Sequence, residues 1–494
     1  MESVDTQFLI SAGWDIPTPF RMSVSKPGCG LVEIECVQIY RLLPGKRIVM
    51  LARDQGEPIL VKAFLGRNAN RNAAREVRGI EAIAKAGVCT PELLWVAEIP
   101  GSGRMLALHF LPDAVSLFHQ WDQADNVAEK NEILSSVMQI MSRLHQNGVI
   151  QKDIHLANFM LSNDKFHMID GGGIQQKYSV SASEETSLLN LANFFAQFQA
   201  QNDDLVPSAL KVYEQARGWT SDALDVSEQR LLKLLAEITR CRKIRKRNHI
   251  GKSLRNCTRF VCRSSFRRFM VCERSAYNNE LQGLLRHPDR FIADGKLLKN
   301  GNSATVALVH LSDRPLVIKR YNIKGILHGA RRLFRKSRAR VSWSNAWHME
   351  FLGIPALKPV AMIENRIGPF RTSAYLITEY VEGPDALHCL REMADPKGEP
   401  EALAQIIQKL SESWISHGDL KATNFLMARY GPVIIDLDAM QEHKNQSTFR
   451  RAFRNDLKRF MANWEDYPAL SDRFMGLLSE LDKRHGKQTD LVRN

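Results

Sequence analysis

With 494 residues the chain exceeds the ~100–200 residues of a typical domain and has material for two to four cores. Hydrophobic residues make up 44% and charged residues 25%, which excludes a collagen-like, low-complexity or wholly disordered chain. Lysine and arginine outnumber aspartate and glutamate by 68 to 54, and this surplus points to an anionic partner: phosphate, nucleic acid or a membrane surface.

In chain order, Ile48–Leu51 and Pro58–Phe64 read as strands. Asn72–Ala86 carries Val77, Ile80, Ile83 and Ala84 at helical spacing and stops at Gly87. A strand at Met105–Phe110 and a long helix over Val127–Gln146 lead to a loop around Asp153. The second half repeats this plan with strands at Thr305–Val309 and Leu316–Lys319 and a helix over Ser342–Leu352. A strand at Ala374–Glu379, a helix over Pro400–Trp414 and a loop around Asp419 complete it. Strands precede helices in each half, which predicts an α+β fold with two lobes per domain.

The halves also share residues. Lys-Asp-Ile-His-Leu-Ala-Asn-Phe at 152–159 and Gly-Asp-Leu-Lys-Ala-Thr-Asn-Phe at 418–425 are offset by 266 residues, and the same offset relates Ile169-Asp170 to Ile435-Asp436 and Gly87 to Gly353. A period of that size is a duplicated domain, not a solenoid unit. The expected organisation is a first domain over 1–239, a basic amphipathic linker helix over 240–280 and a second domain over 281–494.

Asp-x4-Asn followed by Ile-Asp suits phosphoryl transfer from ATP, which needs an aligned nucleophile, magnesium on oxygen ligands and positive charge at the phosphates. Asp153 and Asp419 fit the first task, and Asn158 with Asp170 and Asn424 with Asp436 fit the second. Lys62 in a strand and Glu76 in the next helix form a phosphate-positioning pair. Lys319 is the counterpart of Lys62, and the turn around Gly301 in Lys299–Val306 is a candidate phosphate cover; Leu43–Arg47 is the weaker equivalent in the first half. His145, His155 and His417 read as bracing histidines in preference to chemical groups.

At Val61-Lys62, Arg75-Glu76, Leu144–Phe159, Ile169-Asp170, Val317–Lys324, His417–Leu426 and Ile434–Ala439 the chain resembles the protein-kinase-like superfamily, specifically the bacterial lipopolysaccharide kinases of heptose or Kdo sugars. The resemblance implies two tandem bilobal kinase-like domains, each with an antiparallel sheet lobe and a helical lobe. It further implies ATP- and Mg2+-dependent phosphorylation of the core glycolipid at the cytoplasmic face of the inner membrane, and Lys421 as a source of transition-state charge. The pattern departs from that family in places. Gln151-Lys-Asp and His417-Gly-Asp replace His-Arg-Asp, neither magnesium aspartate begins Asp-Phe-Gly, His155 stands at the place of Lys421, and Ser342 stands at the place of Glu76. Lys319 is therefore expected to lack an ion-pair partner, and one copy to be open to degeneration. A catalytically silent pair of such modules, acting as scaffold or regulator, is the alternative.

Between Arg240 and Arg274 thirteen lysines and arginines face one acid, so this stretch carries +12 of the net +14. On a helix Lys252, Arg255, Arg259 and Arg263 would line one stripe, suited to an anionic membrane surface or the substrate's phosphates. A docked inter-domain helix is the plainer reading, and RNA binding lacks a recognition module. Arg331–Arg340 would extend the same surface. No apolar run reaches the ~18 residues of a membrane span, and Met1–Trp14 has no basic n-region, so a cytoplasmic protein is expected. Eight cysteines without a C-x-x-C read as ordinary thiols.

Overall fold

Alternating apolar positions close the first sheet into a ring. In the computed structural model, which describes residues 3–487 except 102, 177–179, 220–223, 313, 323–335, 368–369 and 394–395, the chain divides into two compact units, Met1–Arg245 and Lys246–Asn494. In the first unit the antiparallel strands Phe20–Lys26, Gly30–Leu43, Arg47–Asp54, Glu57–Leu65, Gly103–His109 and Leu93–Ile99 follow one another around a closed barrel. Ser25 against Glu98 completes it. Met22, Val24, Ile34, Met50, Val61, Ala63 and Met105 fill its interior. The intervening residues of the fourth strand point outward, so Phe64 meets Ala69 and Ala73 of the helix Ala69–Lys85 and Lys62 faces the same helix. Helices Val127–Gln146, Glu184–Phe195, Val206–Arg217 and the start of Leu224–Lys252 build a second core.

The second unit carries an open seven-stranded antiparallel sheet: Phe260–Ser264, Arg268–Glu273, Pro359–Ile367, Phe370–Glu379, Arg314–Tyr321, Ala304–Leu311 and Lys296–Asn300. Trp343 and Trp347 of the helix Arg338–Phe351 pack on one face against Phe260, Phe269 and Leu376. Helices Asn279–Arg286 and Pro288–Asp294 cover the other face. Helices Ala386–Glu392, Glu399–Glu412, Gln446–Met461 and Pro468–Lys487 form the rest. The mixture of helix and sheet is α+β.

The offset of 266 extends to local geometry. Gly87 and Gly353 both adopt left-handed φ, +73° and +63°. Each ends a helix in a Schellman turn, with Val88 N–H on Ile83 O and Ile354 N–H on Met349 O. The hairpins Phe159–Ser162/Lys165–Met168 and Phe425–Ala428/Gly431–Ile434 occupy equivalent positions.

The segment 240–280 is not the helix expected of it. The long helix stops at Lys252, and Phe260–Ser264 pairs with Arg268–Glu273, which pairs in turn with Pro359–Ile367. Short apolar runs fit either period, and here ladder partners from nearly a hundred residues away decide it. The basic stripe is dispersed accordingly: Lys252 ends the helix, Arg255 and Arg259 lie in the connection, and Arg263 is in a strand. Arg259 is spent on Glu350, with two N–H···O contacts of 2.7 Å. Of the second basic cluster, residues 331–335 lie outside the described residues, as do 323–324 of the stretch Val317–Lys324. Arg338 and Arg340 are paired with Asp438 and Glu364. All eight cysteines are free, and burial pushes Cys36 and Cys272 up to about 12, which keeps them as inert thiols. Among the described residues no helix is long and apolar enough to cross a membrane.

Candidate active site

In the second unit the loop His417–Asn424 is fixed from below by a buried carboxylate. Asp456 accepts the N–H groups of His417 at 2.7 Å and Gly418 at 3.1 Å, and Arg459 donates to Gly418 O at 2.8 Å. Gly418 is left-handed (φ +82°), and a Cβ there would come within 2.7 Å of Ala439 O, so only glycine fits the turn. His417 donates from Nε2 to Ile435 O at 3.0 Å, the brace expected of it. Held this way, Asp419 stands half out of the surface with Lys421 Nζ 2.9 Å from its Oδ1. Asn424 donates its side-chain amide to Asp419 O at 2.7 Å, which leaves the amide oxygen as the ligand atom on offer.

Lys319 does have a partner, contrary to expectation. Its Nζ lies 2.7 Å from Asp436 Oδ1 and 3.9 Å from Asp438 Oδ2. Ser342, at the place of Glu76, hydrogen-bonds the Tyr321 hydroxyl instead, at 2.9 Å. Arg338 at the helix start reaches Asp438 Oδ2 at 2.6 Å and donates to Ser303 O at 3.3 Å, tying the hairpin that holds Gly301 to the aspartates. Gly301 N–H bonds Ala304 O at 3.1 Å and its carbonyl accepts from Asn322 at 3.1 Å, so the turn is ordered by its own contacts. Burial alone would raise Asp436, but Lys319, Arg338 and His417 outweigh it and hold the carboxyl below its usual range. Burial and then the neighbouring Asp436 charge raise Asp438.

The first unit assembles the same residue types differently. Lys62 and Glu76 form the predicted pair, both almost wholly buried. Lys62 also donates to Ile169 O at 2.8 Å, and Glu76 accepts Gly171 N–H at 3.2 Å. The Asp170-Gly-Gly-Gly loop lies directly on the helix: a Cβ on Gly79 would sit 1.9 Å from Gly171 O. Asp153 is exposed. His155 feels the charges of Asp153 and Asp170, yet burial dominates and lowers its pKa. Arg245 is also within electrostatic reach of Asp153. Asn158 is turned the other way from Asn424: its oxygen accepts His155 N–H at 2.9 Å. Asp170 spends an oxygen on Gly172 N–H at 3.0 Å. Behind the loop, His145 bonds Tyr213 at 2.7 Å and Asn190 at 3.0 Å, and Asn190 donates to Gln151 O at 2.8 Å. Burial lowers His145 to about 4, so it is a neutral brace.

The two units differ in the oxygens they offer to a metal. Asn424 and Asp436 offer oxygens beside a part-exposed lysine, and magnesium held by one or two protein oxygens takes the remainder from phosphates and water. In the first unit the Lys62–Glu76 pair is in place, but Lys62 is almost wholly buried and also bonded to Ile169 O, the Asn158 oxygen is taken by His155 N–H and Asp170 spends an oxygen on Gly172 N–H, so fewer oxygens are on offer for a metal there. Sequence reading missed Asp456, Arg338, Asp438, Asn190 and Arg245. The offset of 266 that relates Asn190 to Asp456 was the available signal for those two.

No curated protein matches the chain. A model of the lipopolysaccharide kinase (Kdo/WaaP) family matches residues 287–475, a stretch inside the second unit that contains Lys319, Asp419, Lys421, Asn424 and Asp436, and to this extent the chain is similar to a family of phosphotransferases of lipopolysaccharide.

Proposed function

We propose that the chain is an ATP- and Mg2+-dependent kinase of a heptose- or Kdo-type sugar in lipopolysaccharide core, with catalysis in the second of two tandem bilobal kinase-like domains. The observation that carries this reading is the Asn424 amide on Asp419 O beside the Lys319–Asp436 pair, within the stretch similar to lipopolysaccharide kinases. Bound magnesium nucleotide supplies the phosphoryl group and the neutralisation of its charge. Asp419 accepts the hydrogen bond of the acceptor hydroxyl and aims its oxygen, and Lys421 offsets the charge that develops. Asp436 and the Asn424 oxygen would hold the metal, Lys319, now on Asp436, would offset phosphate charge, and the Gly301 hairpin would cover the phosphates. Asp456 and His417 keep the loop rigid.

The Asn158 oxygen, turned to His155 N–H, and Lys62, held by Ile169 O as well as Glu76, favour the silent reading for the first unit: a module that stabilises or regulates. The basic residues of 240–274 suit an anionic inner-membrane surface and the substrate's phosphates, which would hold the protein peripherally at the cytoplasmic face. The test is transfer of labelled phosphate from ATP to purified core oligosaccharide, with mass analysis of core from cells lacking the chain. Loss of transfer in Asp419→Ala but not in Asp153→Ala supports the assignment. Full transfer by the Asp419→Ala, Asp153→Ala double variant overturns it.

A further inference from the structure

Several arginines of the second unit have a carboxylate partner: Arg314 has Glu379, Arg338 has Asp438, Arg340 and Arg366 share Glu364, and Arg473 has Glu401. Among the described residues Arg263, Arg268 and Arg286 form no ion pair, and these three line one cavity of about 210 Å³ together with Ser265, Tyr277 and Gln282. No carboxylate lines it.

The period of two along a strand places this cavity. Phe260, Phe269 and Val271 turn to the face that packs on the helix Arg338–Phe351, so Arg263, Arg268 and Met270 turn to the opposite face, beneath the helix Asn279–Arg286. Lys319, next to Ile318 of that opposite face, points to the first. The cavity and the Lys319 site are therefore on different sides of one sheet. The tight turn Ser265–Arg268 closes its end, with Arg268 N–H on Ser265 Oγ at 3.1 Å. Arg268 donates from Nη2 to Leu285 O, while its Nε is buried without a partner. The Arg263 guanidinium is held over the Tyr277 ring at 5.5 Å. Three arginines line one hollow that has no carboxylate to balance their charge, and the planar N–H forks of guanidinium groups match phosphate oxygens. The volume is below the ~300 Å³ at which drug-sized pockets begin, the scale of a small head group.

We propose that this cavity is a binding site for a phosphate group, separate from the phosphotransfer site, supplied either as a small free phosphate or as the phosphate of a lipid headgroup. Binding is measured on the full chain in phosphate-free buffer at fixed ionic strength. One arm titrates inorganic phosphate and follows it by 31P NMR; the other sediments the protein with phosphatidylcholine vesicles, with and without phosphatidylglycerol. Arg263→Gln with Arg286→Gln, both at exposed positions, is expected to weaken binding at least tenfold in the arm that binds, while Arg429→Gln, exposed and outside both the cavity and the basic segment 240–274, changes it less than twofold. The magnesium–ATP thermal shift stays as in the parent, which separates this site from the phosphotransfer reading. Loss in the phosphate arm alone assigns a free ligand, and loss in the vesicle arm assigns a headgroup. No binding in either arm, unchanged binding in the double variant, or an equal loss in Arg429→Gln overturns the proposal.

Discussion

Asn424 gives its side-chain amide to Asp419 O at 2.7 Å, whereas Asn158, its equivalent 266 residues earlier, turns its oxygen to His155 N–H at 2.9 Å. Identical residues at one offset thus present opposite ends. Asn424→Ala is expected to lower phosphate transfer at least a hundredfold and raise the magnesium requirement. Asn158→Ala leaves transfer within twofold and costs about 1 kcal/mol of stability through the lost cap. Turnover against magnesium concentration, with a denaturant melt, reads both.

Breaking the buried Lys62–Glu76 pair strands a carboxylate. Lys62→Met is expected to destabilise the first unit by about 3–5 kcal/mol without changing the thermal shift produced by magnesium and ATP. Lys319→Met leaves the fold close to that of the parent, because its partner Asp436 is partly exposed, and abolishes the shift. Scanning calorimetry with and without nucleotide distinguishes the two.

Gly79→Ala forces a methyl into the Gly171 carbonyl. Overpacking of this kind costs about 1–3 kcal/mol, and the Asp170 loop must move off the helix. Hydrogen exchange at Gly171–Gly173 should accelerate, while Gly218→Ala, where a Cβ meets nothing within 4 Å but φ is +67°, leaves that exchange unchanged.

His145 sets a pH dependence. Its folded pKa is about 4 against an ordinary value of 6.5, so below pH 6.5 the unfolded chain binds a proton that the native state refuses. Stability is complete above pH 6.5 and falls as pH drops towards 4, by about 3 kcal/mol for this group. Urea midpoints between pH 7 and 4 should decline, and His145→Gln should flatten part of the slope.

Asp456→Ala removes the acceptor of the buried His417 N–H and the part-buried Gly418 N–H. A loss of about 1–3 kcal/mol is expected, with a fall in kcat and little change in KM for ATP, since the residue touches the loop and not the nucleotide. Steady-state kinetics at saturating magnesium checks the split.

Much of this was readable from local pattern. The helix Val127–Gln146 was predicted with the bounds it has, and Lys62 and Glu76 meet as expected because a strand and the following helix bring them together within 14 residues. Lys319 finds Asp436 across 117 residues, and no periodicity reports such a partner. The strands at 20–43 escaped because exposed Leu31 and Tyr40 blur their alternation. The strands at 260–273 escaped because Val261 and Cys257 mimic a helical stripe that tertiary pairing overrides. The orientation of Asn158 depends on which neighbour offers an N–H, which the shared Asp-x4-Asn spacing does not encode.

The closed barrel of the first unit has a consequence for self-association. A ring of strands offers no unpaired rim to a second copy, so strand-by-strand polymerisation cannot start there. The open sheet of the second unit has two rims, and on the exposed one, Lys296–Asn300, Lys296 and Lys299 flank Leu297 and Leu298, charges that repel an identical strand laid alongside. Replacing both lysines with threonine would remove that guard, and fibril formation followed by thioflavin fluorescence is expected to rise above that of the parent.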